Sequence, residues 1–292
     1  MAKDILAAIE ERMPHFSKGQ RRIARYIVDE YDKAAFLTAA KLGKTVGTSE
    51  STVVRFAYEM GFEGYPQLQR ALQEMIRNKL TAVQRIELIE EAEDTSKVLG
   101  QVLGQDIDRI KRTLEEVNRA DFAASVEALG RARSIYIIGV RTSSILAGFL
   151  GFYLGLIFDN VRVVDADGAG EIFEKIVHIG AGDVIIGISF PRYSRRTAQA
   201  VRYGKERGAT AIALTDSEAA PVAQYADYLL KARSEMASFV DSLVPPLSLI
   251  NALVVAAGLG RKEKVAETFS QLEYIWEQYR VFEKPGEEEA GA

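Results

Sequence analysis

The sequence predicts a mixed α/β chain, with a small all-helical domain at the N-terminus and then a larger α/β domain on a parallel five-stranded sheet. Three observations predict it. Residues 38–61 read as two short helices about a glycine turn. From about residue 120, short apolar runs alternate with helix-length segments, the pattern of a parallel sheet covered on both faces. Charge also divides along the chain. Residues 1–79 carry 13 Lys+Arg against 10 Asp+Glu, and the remainder carry 24 against 31. A mildly basic head on an acidic body suits a polyanion at one end only.

In order, residues 2–13 form a first helix, with Ile5, Leu6 and Ile9 on one face and Pro14 stopping it. Ser17 caps the next helix, which turns Ile23, Ile27 and Tyr26 inward. Its other side presents Lys18, Arg21, Arg22 and Arg25, suited to phosphate contact and equally to a solvated face. Thr38 caps the first of the paired helices, whose Leu42 and Val46 share a face. Gly47 takes the turn, because glycine tolerates positive φ. Ser49 caps the second helix, and Val53, Ala57 and Met60 form its buried stripe. Ser51, Thr52, Arg55 and Tyr58 are left on other faces. This is the anatomy of a helix-turn-helix, whose second helix enters the major groove. Serine and threonine hydroxyls can bond bases or phosphates, and arginine can grip a guanine edge. A closing helix over 63–78 begins near Pro66, with Phe62 and Tyr65 as core and corner residues.

Residues 79–118 are helix-prone and polar. Ile86, Ile89, Val98, Val102, Ile107 and Ile110 give a broken apolar stripe around the acidic patch Glu90, Glu91, Glu93 and Asp94. The expectation is a connector with a break near 94–96, then a long helix packing on the second domain. Strands are expected at 134–138, 161–164, 183–189, 211–215 and 227–231, with helices at 143–158, 171–178, 195–207 and 221–225 between them. The apolar stretch 239–260 reads as a buried helix at a possible subunit contact, and 261–279 as an amphipathic one. The tail GEEEAGA is expected to be disordered.

Parallel sheets of this kind bind ligands at the carboxyl ends of their strands. Two strand ends here carry anion-binding chemistry. One is Gly139-Val140-Arg141-Thr142-Ser143-Ser144, and the other runs from Ser189 through Arg192 and Ser194 to Thr197. Hydroxyls, backbone N–H groups and the positive end of a helix suit a phosphate, and Arg192 adds a bidentate grip. Simple capping would explain either loop alone. The first strand ends in GVRTSS and not in G-x-G-x-x-G, so dinucleotide binding is not encoded.

Composition sets further bounds. There is no cysteine, which excludes disulfides, thiolate catalysis and Cys-ligated metals. There is no run of about 18 apolar residues. The N-terminus MAKDILAAIEERM is too acidic for a signal peptide, and a cytoplasmic location is expected. The two histidines, His15 and His178, and the acids Glu171 and Glu235 show no spacing that marks a catalytic base. No catalytic residue, cofactor or metal is therefore expected.

Two resemblances sharpen this reading. SESTVVRFAYEMGFEGYPQLQRAL resembles the N-terminal DNA-binding domain of the RpiR-type bacterial transcriptional regulators, through Ser49, Thr52, Val53, Arg55, Phe56, Gly61, Phe62, Gly64 and Tyr65. Gly43 departs from it, standing where such motifs carry alanine, and is expected to soften the first helix. Residues 120–260 resemble the sugar isomerase (SIS) domain, a phosphosugar-binding α/β sandwich. That likeness implies phosphate contacts from Ser143, Ser144, Ser189, Ser194 and Thr197. The loop departs from the SIS pattern Ser-x-Ser-Gly-x-Thr by the insertion Phe190-Pro191-Arg192-Tyr193, so no sugar identity is carried across.

The resemblances imply a helix-turn-helix DNA-binding domain over 1–78, a helical linker over 79–118 and a SIS domain over 119–260. A C-terminal helix and tail fill 261–292. They imply an operator-binding regulator, a homodimer or homotetramer, that senses a phosphorylated sugar. A sugar-phosphate isomerase or lyase is the alternative. The DNA-facing candidates are Lys18, Arg21, Arg22, Ser49, Ser51, Thr52, Arg55 and Tyr58. The ligand-facing ones are Arg141, Ser143, Ser144, Ser189, Arg192, Ser194 and Thr197.

Overall fold

The computed structural model describes residues 5–76, 95–165, 169–234 and 240–282. The chain divides into two compact units, residues 1–101 with 236–241, and 102–235 with 242–292. The expected break near 94–96 lies at the edge of the described residues. Ile86, Ile89, the acidic patch, Glu235 and the C-terminal tail lie outside them.

In the smaller unit, α1 (Ile5–Arg12) runs into a 3-10 turn (Met13–His15) that absorbs Pro14. Helix α2 (Lys18–Asp29) opens with a full capping box between Ser17 and Gln20. A short α3 (Tyr31–Ala34) follows, which the sequence reading did not include. Then come α4 (Ala39–Thr45), α5 (Glu50–Glu59) and α6 (Tyr65–Ile76). One core joins them, built from Ile9, Ile23, Ile27, Leu42, Val53, Phe56, Leu68 and Leu72, all fully buried. Phe56 faces Phe16 with ring centroids 5.1 Å apart. Tyr65 is a core residue, as expected. Its hydroxyl donates to the Leu37 carbonyl at 2.7 Å, fixing α6 to the approach of α4. Burial raises its phenol well above the ordinary tyrosine value, so it stays a donor.

The larger unit is an α/β sandwich on a sheet of order β2-β1-β3-β4-β5, parallel at every pairing. The strands are β1 (Ile135–Gly139), β2 (Val161–Val163), β3 (Val184–Ile188), β4 (Thr210–Thr215) and β5 (Tyr228–Lys231). All five residues of β1 and of β3 are buried, which is why the sequence shows continuous apolar runs there and not alternation. Ile135, Ile137, Ile186 and Leu214 meet α8 (Arg119–Arg131), α9 (Thr142–Gly155) and α12 (Val244–Leu259) on one face. Tyr136, Ile138, Ile185 and Ala213 meet α10 (Ala169–Ile176) and α11 (Arg195–Glu206) on the other. The expected helix at 221–225 is a 3-10 turn, Ala223–Tyr225. Helix α13 (Lys262–Gln278) closes the described chain. Among the described residues no single helix is long and apolar enough to cross a membrane. Helices α12 and α13 reach that composition only as a pair bent by 103°.

In the long helix α7 (Thr95–Glu116) it is the polar residues Asp106, Arg109 and Thr113 that are buried, whereas Val98, Val102, Ile107 and Ile110 are exposed. Periodicity located the stripe but not the side on which the protein lies.

At the amino ends of the central strands Arg133 clamps Asp183, Nε to Oδ1 at 2.9 Å and Nη2 to Oδ2 at 2.6 Å. Burial pushes the Asp183 carboxyl up. The Arg133 guanidinium and the backbone N–H groups of Gly180 and Ser134 outweigh it and hold the group below the ordinary carboxylate range. A carboxylate with a lowered folded-state pKa stabilises above its unfolded value and loses that contribution as pH falls through the folded one. In urea unfolding, the stability gap between the native sequence and Asp183→Asn should therefore narrow as pH drops below about 4. Tyr65→Phe should cost about 1–2 kcal/mol in the same measurement.

Candidate functional site

The first region is the turn between α4 and α5. Thr38 Oγ1 accepts from the Lys41 N–H at 3.2 Å, fixing the start of α4. Gly47 has φ +67°, which the tight turn requires. A Cβ on Gly43 would lie 3.0 Å from the Thr48 carbonyl oxygen and 3.2 Å from the Glu50 nitrogen. Glycine is there so that α4 can touch the backbone entering α5, a packing role beyond any softening of the helix. Gly19 does the same for α2, since its Cβ would lie 3.2 Å from Thr48 Oγ1 and 3.3 Å from Thr52 Cγ2. The first turn of α2 thus lies against the first turn of α5, a contact that the sequence did not reveal.

This packing brings part of the candidate set together. Arg22 reaches the turn, its Nη1 3.2 Å from where a Gly47 Cβ would stand, and Lys18 lies one turn below it on the same side of α2. Ser49 sits at the N-cap of α5 with extended backbone, but its hydroxyl caps no backbone N–H. It bonds the hydroxyls of Ser51 at 2.9 Å and Thr52 at 2.8 Å. Arg55 is exposed one turn on, its Nε donating to the Ser51 carbonyl at 3.3 Å. Two candidates separate from the group. Arg21 turns back to donate to the carbonyls of Phe16 at 3.1 Å and Pro14 at 3.4 Å. Tyr58 is exposed near the far end of α5, its hydroxyl leaning towards Gly64.

The second region lies at the carboxyl ends of β1 and β3. These strands are neighbours, with Gly139 level with Ile188. The chain leaves them towards opposite edges of the sheet, so they bound the topological switch point. Both candidate loops therefore rise from adjacent strands at one level.

In the first loop, a Cβ on Gly139 would lie 2.3 Å from the Ser143 carbonyl oxygen, so only glycine lets α9 begin this close to the strand. Arg141 holds φ +60°, ψ −127°, a strained conformation for a residue with a side chain, and Ser144 Oγ donates to its carbonyl at 2.6 Å. Ser143 is buried, whereas Arg141 and Ser144 are exposed. In the second loop, Ser189 is buried, and its Oγ accepts from the Ser194 N–H at 3.2 Å. Ser194 caps α11 by accepting from the Thr197 N–H at 3.2 Å. Thr197 is fully buried, and its Oγ1 has no hydrogen-bond partner. Arg192 is exposed.

Sequence reasoning missed the brace behind this loop. Tyr193, from the inserted segment, donates to the Asp216 carboxylate at 3.0 Å, and Thr215 Oγ1 donates to the Ser189 carbonyl at 2.6 Å. The only available signal was that Thr215-Asp216 ends the strand next to β3. The bulk of the insertion is used, with Phe190 and Pro191 buried and Tyr193 fastened to β4. An apolar cleft of about 390 Å³ between α9, α12 and α13, lined by Tyr153, Ile157, Val254, Leu259 and Phe269, offers no comparable chemistry for an anion. Among the described residues no three His, Asp or Glu side chains gather as a metal site.

A helix-turn-helix and an α/β unit with hydroxyls gathered at its switch point define a one-chain DNA-binding regulator. Residues 3–79 match the helix-turn-helix domain of the rpiR family, and residues 128–256 match the SIS domain. The chain belongs to the RpiR family of transcriptional regulators. HexR of Escherichia coli, an HTH-type transcriptional regulator, is 24% identical over 86% of this chain and 85% of its own length. An HTH-type transcriptional regulator of Haemophilus influenzae is 29% identical over 79% of this chain and 81% of its own. Among solved structures, the sugar isomerase domain of an RpiR transcription factor from Sphaerobacter thermophilus is similar with a TM-score of 0.58 and 28% identity. It covers 61% of this chain and 99% of that one. Vibrio vulnificus NanR, complexed with ManNAc-6P, shares the fold with a TM-score of 0.58 and 22% identity, over 96% of this chain and all of that one. The matched relatives are regulators by name, and the chain stands with regulators and not with enzymes.

Gly139→Ala should lower stability by about 1–3 kcal/mol, because α9 must move off the strand. A thermal melt shifted by less than a degree would mean that the loop yields freely.

Proposed function

We propose that this regulator binds an operator through the face made by Lys18, Arg22, Ser49, Ser51, Thr52 and Arg55. On this reading its SIS unit takes a small phosphorylated sugar at the β1–β3 switch point, as a cytoplasmic homodimer or homotetramer. The observation that carries the effector site is Thr197 Oγ1, fully buried and without a partner at the first turn of α11. A buried hydroxyl left unsatisfied costs on the order of 1–3 kcal/mol, which a ligand oxygen would recover. The setting favours an anion. The helix end is positive, the first turn of α11 carries Arg195 and Arg196, and Ser143 and Ser189 flank the crevice from adjacent strands. The phosphosugar bound to NanR, a protein of the same fold, supports this choice of ligand class.

On the DNA side, Arg22 and Lys18 supply backbone-phosphate contacts beside the N-terminal turn of α5, and Arg55 lies where a base edge or phosphate would be met. On this reading Arg21, which donates to the Phe16 carbonyl, and Tyr58, near the far end of α5, lie at the margin of that face. Effector binding alters operator affinity only to the extent that it favours one arrangement of the protein over another.

Two measurements test the reading. Thr197→Val removes a hydroxyl that holds nothing within the chain, so folding and apo operator affinity should be unchanged. The response of DNA binding to a panel of sugar phosphates, followed by fluorescence anisotropy, should be lost. A full response in the variant would remove Thr197 from the site. Arg55→Ala should weaken operator binding by about tenfold or more over a salt series. Equal binding by the two proteins would take Arg55 off the DNA face.

A further inference from the structure

Helix α7 is amphipathic with its faces reversed. Asp106, Arg109 and Thr113 are all below a tenth exposed. They are held by polar contacts, with Arg109 Nη1 on Asp106 Oδ1 at 2.9 Å and the Arg233 N–H on Thr113 Oγ1 at 3.0 Å. The Arg233 guanidinium also donates to Glu116. The helix is thus fastened to its own unit by its polar side. Its aliphatic side faces outward, with Leu103 54% exposed, Ile107 53%, Ile110 36% and Leu114 65%. A helix interior normally follows the opposite rule.

The outward stripe has a particular order. The residues are Leu, Ile, Ile, Leu, at spacings of four, three and four. That is the a/d spacing of a helix–helix seam, about 17 Å long at 1.5 Å per residue. Over residues 103–114 it is also a palindrome in both residue type and spacing, and Leu99, also exposed, extends the stripe by one turn. An antiparallel two-fold between residues 108 and 109 sets Leu103 against Leu114 and Ile107 against Ile110 in every layer. The same axis brings Lys111 of one copy beside Gly104 of the other. A Cβ on Gly104 would meet nothing within 4 Å, so the lysine stem has room to lie there. A surface complementary to itself under a two-fold is what an isologous dimer contact requires.

We propose that Leu103, Ile107, Ile110 and Leu114 form the seam of an antiparallel pair of α7 helices from two copies of this chain. The inference rests on the oligomeric part of the function proposed above and names its surface. A helix-turn-helix protein reads paired half-sites as a dimer, which favours a second copy over any other occupant of this face. The seam is the apolar centre of the contact, with Lys111 flanking it.

The natural chain has no cysteine, so single cysteines report proximity without background. Leu103→Cys and Leu114→Cys are made in separately tagged full-length chains, mixed, allowed to exchange and mildly oxidised, with neither DNA nor effector present. The expected result is a mixed-tag disulfide dimer, while each variant alone gives little. A disulfide formed by either variant alone would mean parallel packing and would overturn the proposal, as would a dimeric chain that forms no mixed disulfide. As a second measurement, Ile107→Glu with Ile110→Glu should weaken self-association by at least about 100-fold in sedimentation, with the circular dichroism spectrum unchanged. An unaltered dimer, or a monomeric native chain, would also overturn it. A chain that cross-links as expected but binds no operator would sink the regulatory reading and leave the helix pairing standing.

Discussion

The pairing of β1 with β3 is the constraint on which the larger unit depends. Their register runs from Ile135 opposite Val184 to Gly139 opposite Ile188, with every residue of both strands buried. Strands sealed on both faces leave the chain no freedom except at their ends. The amino ends are locked by Arg133 on Asp183 and by the bond from the Arg133 N–H to the Gly182 carbonyl at 2.7 Å. The carboxyl ends must therefore open into loops, and because the two loops leave in opposite directions a crevice is unavoidable there. Hydroxyl groups and a helix start meet there by position alone.

The smaller unit is governed by a different constraint, the approach of backbone to backbone. Gly43 stands where α4 meets the backbone of residues 48–50, Gly19 where α2 meets the Thr48 and Thr52 side chains, and Gly47 supplies the positive φ of the turn between them. Hydroxyls and cations are gathered on the outside of this junction because its inside has no volume for them. The buried Tyr65 hydroxyl does comparable work on the far side, tying α6 to the Leu37 carbonyl.

Much of this was legible in the residues. The five strands, the glycine turn, the capped helices and both loops were marked by local chemistry: apolar runs, Ser and Thr before helices, a positive-φ position. What escaped depended on contacts between distant parts of the chain. Nothing near Tyr193 points to Asp216, 23 residues on, although the hydrogen bond between them explains how a bulky insertion is accommodated. Arg21 and Arg22 are adjacent and alike, yet one turns to the Phe16 carbonyl and the other to the turn at Gly47, a split decided by the fold of residues 13–16. Ser49 was placed correctly at a helix start, but neighbouring hydroxyls compete for it. For α7 the period marks a stripe, but spacing does not say what covers it.

The division of labour along the sheet has a consequence for how such a protein can change over time. The Arg133–Asp183 clamp and the strand starts carry rigidity at one end, and the braced loop with its inserted Phe190-Pro191-Arg192-Tyr193 lies at the other. The Tyr193 hydrogen bond to Asp216 anchors a bulky loop to β4 without involving the strand starts. A chain built this way can exchange one loop at that end while its scaffold stays recognisable.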